Sequence, residues 1–436
     1  MKKSVIFSLL FLTTISLFAQ SEITTDDYFQ KGISAFKRGD YKGALSIFES
    51  LQNDSGGKIK ENEDVVVILD YIALCYYELD ENQKAVIIGE KALTIQKSTR
   101  GEKHPDNVAL LHHLAVYYSS LNNFSKAIDL EERAIELHKK INKRDADYVL
   151  LLNSLAGCYA LNHEYSKAIE LGISALGIIK KHYGKKSSYY MDALNNLAYL
   201  YEYQNIDYSI SLCQKSLTYE RKYETGDTLR TITNLAYFYH QQALKEHELE
   251  NDSVAFLLTN YAIDILDKIS KNSTPLYAIC KHDAGMFALS GGVKDSLLFI
   301  NNMLQAIDIK EKIYGKTENY YWSVECFANG IEYLARLTSF PKNIDLYEKA
   351  ISVYERIPEH ELIDGYCTSL GNLAVLYEHV NINKAIELSL KKLSIERKYE
   401  IGDSILSMSN LAALYQDIDV KKSLLKFRKC FDTCII

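Results

Sequence analysis

LNNLAYLY at residues 194–201 and LGNLAVLY at residues 370–377 carry the pattern that decides the fold of this chain. In each stretch a small residue follows a leucine and comes three positions before a tyrosine. Offsets of −4, −1, 0 and +3 from the small residue place these side chains on one face of an α-helix. The pattern returns as LHHLAVYY, LNSLAGCY and MSNLAALY at residues 111–118, 152–159 and 408–415. It therefore predicts a series of similar helices.

The small residue is Gly or Ala throughout the chain and recurs at intervals of 38 to 48 residues. The ten markers are Gly32, Ala73, Ala115, Ala156, Ala198, Ala236, Ala284, Ala328, Ala374 and Ala412. We name the helix that carries each marker helix A. A second small residue follows in most units, often opening an apolar run that predicts a helix B: Ala44, Ala85, Ala127, Ala168, Ser209, Ser296, Ala385 and Ser423. Close approach of helices A and B requires such small residues.

The composition agrees with an all-α chain. Its 436 residues include only 4 prolines, the strongest helix breakers, against 33 tyrosines. Seven of the ten markers are followed three positions later by Tyr, predicted to pack against the neighbouring helix pair. The net charge of −7 supplies no basic face for nucleic acid or an anionic membrane. Cys75, Cys158, Cys280 and Cys326 fall within apolar helical patterns, which indicates core thiols.

The first nineteen residues have the pattern of a signal peptide. Lys2 and Lys3 precede an uncharged, mostly apolar run over residues 5–18, and Ala19 suits a cleavage site. The run is shorter than the roughly 20 apolar residues of a membrane span. We therefore expect an exported protein, periplasmic or secreted, that begins near Gln20 and has no membrane span in its mature chain.

These repeats resemble the tetratricopeptide repeat. The first unit fits that pattern well with Gly32, Ala35, Gly39-Asp40-Tyr41, Ala44 and Phe48. The spacing of about 42 residues, longer than the usual 34, and the stretch from Gly101 to Ala109 containing His104-Pro105 are similar to the kinesin-light-chain type. The resemblance implies a right-handed α-solenoid of about ten antiparallel helix pairs over residues 20–436. Residues 241–252 look like a polar insertion.

ERKYETGD at residues 220–227 returns as ERKYEIGD at residues 396–403. Placed in the repeat register, each octapeptide closes a helix B and opens the next helix A. Gly226 and Gly402 are predicted at the left-handed position after helix B, and Asp227 and Asp403 as N-caps. The shorter spacing to the next marker predicts that helix A loses its first turn there. Residues 194–239 align without gaps to residues 370–415.

The sequence offers little for catalysis. It contains no phosphate-binding glycine loop, no HExxH and no zinc-type Cys/His spacing. His112 and His113 are adjacent and should point different ways, and Glu131-Glu132 follows the spacing of a solvated helix face. We therefore predict no catalytic, cofactor-binding or metal-binding residues and no enzymatic activity.

The best functional candidates are polar residues of helix A. In solenoids that this chain resembles, helix A lines the concave groove, and asparagine there binds a peptide main chain. An amide side chain offers a donor and an acceptor together, which matches a peptide unit. The alternative is that these asparagines brace adjacent repeats. The candidate groove residues are Asn153, Asn195, Asn196, Asn234, Asn372, Asn410, Asp70, His112, Lys281 and Glu325.

We expect a non-catalytic scaffold that binds a protein or peptide partner and needs no cofactor. One rival function is a regulatory or sensor arm for a separate or lost effector, since similar exported arrays precede a caspase-like peptidase domain or a regulatory domain. A carbohydrate-binding surface protein is less favoured, because there is no lipid-attachment Cys and only Trp322 to stack on sugar. The last repeat ends in FDTCII without a polar cap, so self-association through that end is a further alternative.

Overall fold

The computed structural model describes residues 27–54, 63–140, 146–290, 295–357, 362–402 and 404–416. These residues form nineteen α-helices and no strand. The helices are α1 (Asp27–Lys37), α2 (Tyr41–Asp54), α3 (Glu63–Glu78), α4 (Asn82–Arg100), α5 (Asn107–Ser120), α6 (Phe124–Lys140), α7 (Ala146–Leu161), α8 (Tyr165–His182), α9 (Ser188–Tyr201), α10 (Ile206–Tyr223), α11 (Thr228–Glu248), α12 (Asp252–Lys268), α13 (Pro275–Ser290), α14 (Ser296–Tyr314), α15 (Glu318–Leu337), α16 (Lys342–Tyr354), α17 (Ile363–Tyr377), α18 (Ile382–Tyr399) and α19 (Ser404–Gln416).

Odd-numbered helices are the predicted A helices and even-numbered helices the B helices. The chain divides into two compact units, Met1–Phe238 and Tyr239–Ile436, with the boundary inside α11. Within each unit, helices that follow one another along the chain pack together. Consecutive A helices also contact each other, as α7 does α9 and α15 does α17. We name the surface formed by consecutive A helices the A face. The architecture is that of an all-α helical repeat solenoid, as predicted.

The marker residues occupy the joints between helices, as their size requires. Nine of the ten are buried, and only Ala412 is partly exposed. The B-helix residues Ala44, Ala85, Ala127, Ala168, Ser209 and Ala385 are all 0% exposed. Ser296 is an exception, because it is the first residue of α14 and is half-buried. Ser423 lies outside the described residues.

The tyrosine three positions after the marker reaches back to the preceding helix B. Its hydroxyl donates a hydrogen bond to a glutamate oxygen there at Tyr76–Glu49 (2.8 Å), Tyr118–Glu90 (2.5 Å), Tyr159–Glu132 (2.6 Å) and Tyr377–Glu348 (2.7 Å). The bond from Tyr76 to Glu49, the largest influence, raises the pKa of that tyrosine to about 12. The predicted packing against the neighbouring pair is confirmed, and its polar end ties one repeat to the next.

Two sequence expectations about the termini of helices need correction. The stretch from Gln241 does not form a loop: α11 runs on to Glu248, and α12 starts four residues later at Asp252. After the octapeptide, α11 begins eight residues before its marker Ala236, whereas α9 begins ten residues before Ala198. Helix A is therefore shortened by about half a turn rather than a full turn.

The octapeptide glycines are needed, but for a different reason from the one predicted. The left-handed residue that ends each helix B is Glu224 (φ 50°) or Glu400 (φ 54°). Gly226 lies two residues later with φ +87°. A Cβ there would approach the buried Glu220 side chain to 2.9 Å. Asp227 caps α11 as predicted, accepting a hydrogen bond from the Arg230 N–H at 3.0 Å, while Asp403 lies outside the described residues.

Gly226→Ala should lower the free energy of unfolding by about 2–3 kcal/mol, because a left-handed alanine is strained and its Cβ displaces Glu220. Gly184→Ala is the matched control: Gly184 has φ +77° but nothing within 4 Å of an added Cβ. The control should cost only about 1–2 kcal/mol, the left-handed strain alone. Thermal unfolding followed by circular dichroism makes the comparison. Equal losses in the two variants would show that the contact with Glu220 is unimportant.

Candidate peptide-binding face

Four of the ten predicted groove residues do not present their side chains to solvent. Asp70, His112, Asn195 and Asn234 are exposed by 1%, 0%, 2% and 8%. For these four the expectation of an open groove position is wrong. Each is used inside the structure to join neighbouring helices, which is the bracing alternative raised by the sequence.

Asp70 and His112 belong to two buried polar contacts on α5. The His113 ring Nδ1 lies 2.9 Å from Asp70 Oδ1 on α3. The His112 ring Nδ1 lies 2.7 Å from Glu131 Oε1 on α6. The Ser154 hydroxyl of α7 donates to the same Glu131 oxygen at 2.5 Å. The two histidines do point different ways, but Glu131 is completely buried and is not part of a solvated face.

Asn195 sits at the centre of a buried network that includes the first octapeptide residue. Its amide donates to the Thr231 hydroxyl at 2.8 Å and to the Ser216 hydroxyl at 3.2 Å. Thr231 in turn donates to Glu220 Oε1 at 2.6 Å. Burial is the main cause that raises the pKa of Glu220, and the bond from Thr231 opposes it. The network joins α9, α10 and α11, so Asn195 braces three helices.

Asn234 accepts a hydrogen bond from the Tyr199 hydroxyl at 2.7 Å, which joins α11 to α9. Its amide oxygen is thereby directed at a neighbouring A helix. The sequence could not distinguish Asn234 from Asn410, its counterpart 176 positions later, because both have the same local pattern.

The other six candidates are partly or fully exposed on the A helices. Asn153 and Asn196 of the first unit, and Asn372 and Lys281 of the second, are half-buried. Asn410 and Glu325 are exposed. The Lys281 ammonium donates to Asn302 Oδ1 at 3.3 Å, and burial lowers its pKa. These six remain available to a ligand on the A face of their own unit.

A cluster of Ser323, Lys310 and His282 in the second unit was not anticipated. The Lys310 ammonium donates to the Ser323 hydroxyl at 2.6 Å, and the His282 ring Nδ1 lies 3.1 Å from the same hydroxyl. Burial, with a smaller effect of Lys310, lowers the pKa of His282 to about 4. A serine beside a base can act as a nucleophile. Here Ser323 is 0% exposed, so no substrate carbonyl can reach its hydroxyl and the cluster acts as a brace.

The second unit also contains an open pocket of about 190 Å³ between α17, α18 and α19. Asn410 and Glu378 line it together with the Lys392 side chain. Within the described part of the chain, no group of three or more His, Cys, Asp or Glu side chains could hold a metal ion. The described cysteines are free thiols, and Cys75, Cys158 and Cys280 are buried as predicted, with Cys326 half-buried. None of the described helices is long and apolar enough to cross a membrane.

The fold therefore defines a helical repeat protein with a polar A face. Residues 64–140, which span α3 to α6, match the family described as Tetratricopeptide repeat. The same register continues on both sides of this match. The chain is a tetratricopeptide repeat protein.

Solved structures of similar helical repeats share low sequence identity with this chain. One, from Podosopora anserina, is titled a kinesin light chain with nearly identical TPR-like repeats; it is 19% identical, with 45% of this chain and 94% of that chain covered and a TM-score of 0.43. The apo form of the quorum sensor NprR from B. thuringiensis is 12% identical, with 84% and 97% covered and a TM-score of 0.45. A Rap protein complexed with Competence and Sporulation Factor is 14% identical, with 86% and 97% covered and a TM-score of 0.40. No curated protein matches the chain.

Proposed function

We propose that this chain is an exported, non-catalytic scaffold that binds a protein or peptide partner through its A face. The observation that carries the proposal is the accessibility of amide side chains at the same helical positions in both units. Asn153 and Asn196 of the first unit, and Asn372 and Asn410 of the second, are at least partly exposed. Each amide offers a donor and an acceptor to a peptide main chain.

The amount of binding energy available sets what the face needs. One such hydrogen bond contributes only about 0.5–1.5 kcal/mol net. Several amides must therefore act together, and the repeat supplies them at regular spacing along consecutive A helices. A face of this kind holds an extended peptide by its main chain, which leaves selectivity to the pockets beside it.

Peptide selection tests the A face and does not require the natural partner. A phage-displayed peptide library is selected on the wild-type chain, and the affinities of the enriched peptides are measured by calorimetry. Peptides that bind the first unit should bind the Asn153→Ala, Asn196→Ala variant about tenfold more weakly, as expected for the loss of two hydrogen bonds. The circular-dichroism spectrum should not change.

The matched control removes two amides from helix B instead. Gln83 on α4 and Gln214 on α10 are exposed. The Gln83→Ala, Gln214→Ala variant should bind the same peptides within about twofold of wild type. Failure to enrich any peptide, or equal binding by both double variants, would remove the support for an A-face site. Asn195→Ala is unsuitable for this purpose, because its loss disrupts the buried network.

Export is the part of the proposal that rests on the sequence alone. The N-terminal basic and apolar segment lies outside the described residues. The intact mass of the protein purified from its native cells should correspond to a chain that begins near Gln20. A mass that includes the first nineteen residues would contradict cleavage.

A further inference from the structure

The two matching stretches of this chain provide an internal comparison. Residues 194–238, the first block, align with residues 370–414, the second block, at a constant offset of 176. Each block contains a helix A, a helix B and the next helix A. Every position lining the space between the two A helices can therefore be compared between the blocks.

In the first block that space is filled by two tyrosines. Tyr199 of α9 and Tyr237 of α11 have ring centroids 5.9 Å apart. The Tyr199 hydroxyl donates to Asn234 at 2.7 Å, and the Tyr237 hydroxyl donates to Glu202 Oε1 at 2.8 Å. Tyr237 is only 6% exposed. The first block thus holds two phenols, each with its own acceptor.

In the second block both acceptors are kept and both tyrosines are lost. Glu378 takes the place of Glu202 and Asn410 that of Asn234, whereas Val375 and Ala413 replace the tyrosines. Gly371 also replaces Asn195, which widens the space further. The result is the pocket of about 190 Å³, with Gly371, Val375, Glu378, Lys392, Asn410 and Ala413 among its lining residues.

The retained acceptors lack a donor within the part of the chain that the structure describes. No described side chain donates a hydrogen bond to the Glu378 carboxylate or to the Asn410 amide oxygen. An apolar cavity of about 150 Å³ is large enough to hold benzene, so the volume suits one aromatic ring. The pocket thus has the size and the hydrogen-bond acceptor that a phenol requires.

Lys392 adds a preference for an aromatic ring. It replaces Ser216 of the first block, and its ammonium is held by the Ser407 hydroxyl at 2.8 Å and by Glu396 Oε1 at 3.1 Å. A lysine that lines a pocket attracts the electron-rich face of an aromatic ring. Because Glu396 pairs with this ammonium, the pocket has no strong preference for an anion.

We propose that this pocket binds a tyrosine side chain presented by the peptide partner, with the ring in the position that Tyr237 fills in the first block. The tyrosine hydroxyl donates to Glu378, as Tyr237 donates to Glu202. This inference rests on the proposed function and adds the chemistry that the partner must carry. The parts of this chain outside the described residues contain no tyrosine, so the occupant comes from another molecule.

Binding of p-cresol, the tyrosine side chain as a free molecule, tests the pocket on the full chain. Toluene is the matched probe without the hydroxyl. Titrations by saturation-transfer NMR should show p-cresol binding at least about fivefold more tightly than toluene, because a phenol bonds strongly to a carboxylate. Glu378→Ala should abolish this preference. Equal binding of the two probes to the wild-type chain would overturn the assignment.

Filling the pocket from within provides the second arm. Ala413→Tyr restores the side chain of the first block and should weaken p-cresol binding at least about tenfold. Ser409→Tyr is the control, since Ser409 is exposed on the same helix but does not line the pocket. It should bind p-cresol within twofold of wild type. Unchanged p-cresol binding by Ala413→Tyr would also overturn the proposal.

The two proposals can fail separately. If peptides are selected on the A face but p-cresol shows no specific binding, the tyrosine pocket is wrong and the scaffold function stands. If p-cresol binds as described but no peptide or protein partner is found, the pocket stands as a phenol site and the scaffold function loses its support.

Discussion

Glu131→Ala should lower the free energy of unfolding by about 3 kcal/mol or more. The substitution leaves the His112 ring nitrogen and the Ser154 hydroxyl without their shared acceptor, in a place where both side chains are buried. Each buried polar group left unpaired costs about 1–3 kcal/mol. Because the three residues lie on α5, α6 and α7, the loss loosens the joint between two repeats. Urea denaturation followed by circular dichroism measures the effect.

The neighbouring acidic residue Glu136 supplies the control for this prediction. It lies on the same helix, its side chain is 74% exposed, and its partner Lys140 is also on the surface. Glu136→Ala should change the free energy of unfolding by less than about 0.5 kcal/mol. A similarly small effect of Glu131→Ala would mean that the buried network contributes little to stability.

Acidification should destabilise the second unit through His282. Its folded pKa is about 4 and its ordinary value is 6.5, because burial, and to a lesser extent Lys310, disfavours the charged ring while Asp283 opposes them. Between these values the unfolded chain binds a proton that the folded chain does not. The contribution of His282 is therefore fully present above about pH 6.5 and is lost as the pH falls toward 4. The loss between pH 7 and pH 4.5 should be about 2–3 kcal/mol.

Trp322 provides a local probe of this titration, as it is the only tryptophan and its ring stacks on His282 with centroids 4.3 Å apart. Urea denaturation followed by its fluorescence at both pH values measures the effect. His282→Phe keeps an aromatic ring and removes the titrating group, so its free energy of unfolding should depend on pH by about 2–3 kcal/mol less than that of the wild type. An identical pH dependence in the two proteins would show that His282 does not govern acid stability.

The helices themselves were predictable because the signals for them are local. A small residue followed by Tyr at a spacing of three, repeated at nearly constant intervals, fixes which side of helix A is buried. Ala198 is 0% exposed, as that pattern requires. The turn residues and the cap at Asp227 were also readable, since capping depends on a few neighbouring residues.

The polar residues of helix A were not predictable to the same degree. Asn153 and Asn195 occupy the same register, yet Asn153 is accessible and Asn195 is buried among Ser216 and Thr231. Glu131 has the spacing of a surface residue but accepts hydrogen bonds from two neighbouring helices. The fate of such a side chain depends on which residues the adjoining repeat places opposite it.

The sequence by itself determined the class of fold, the order of the helices and the small residues at their joints, because helical periodicity and helix capping act over a few residues. Tertiary structure alone decided which amides are accessible, why the octapeptide glycine must lie beside Glu220, and where a pocket opens. Asn234 and Asn410 illustrate the difference. They match in position and pattern, but one receives the hydroxyl of Tyr199 and the other lines a pocket, because Val375 takes the place of that tyrosine.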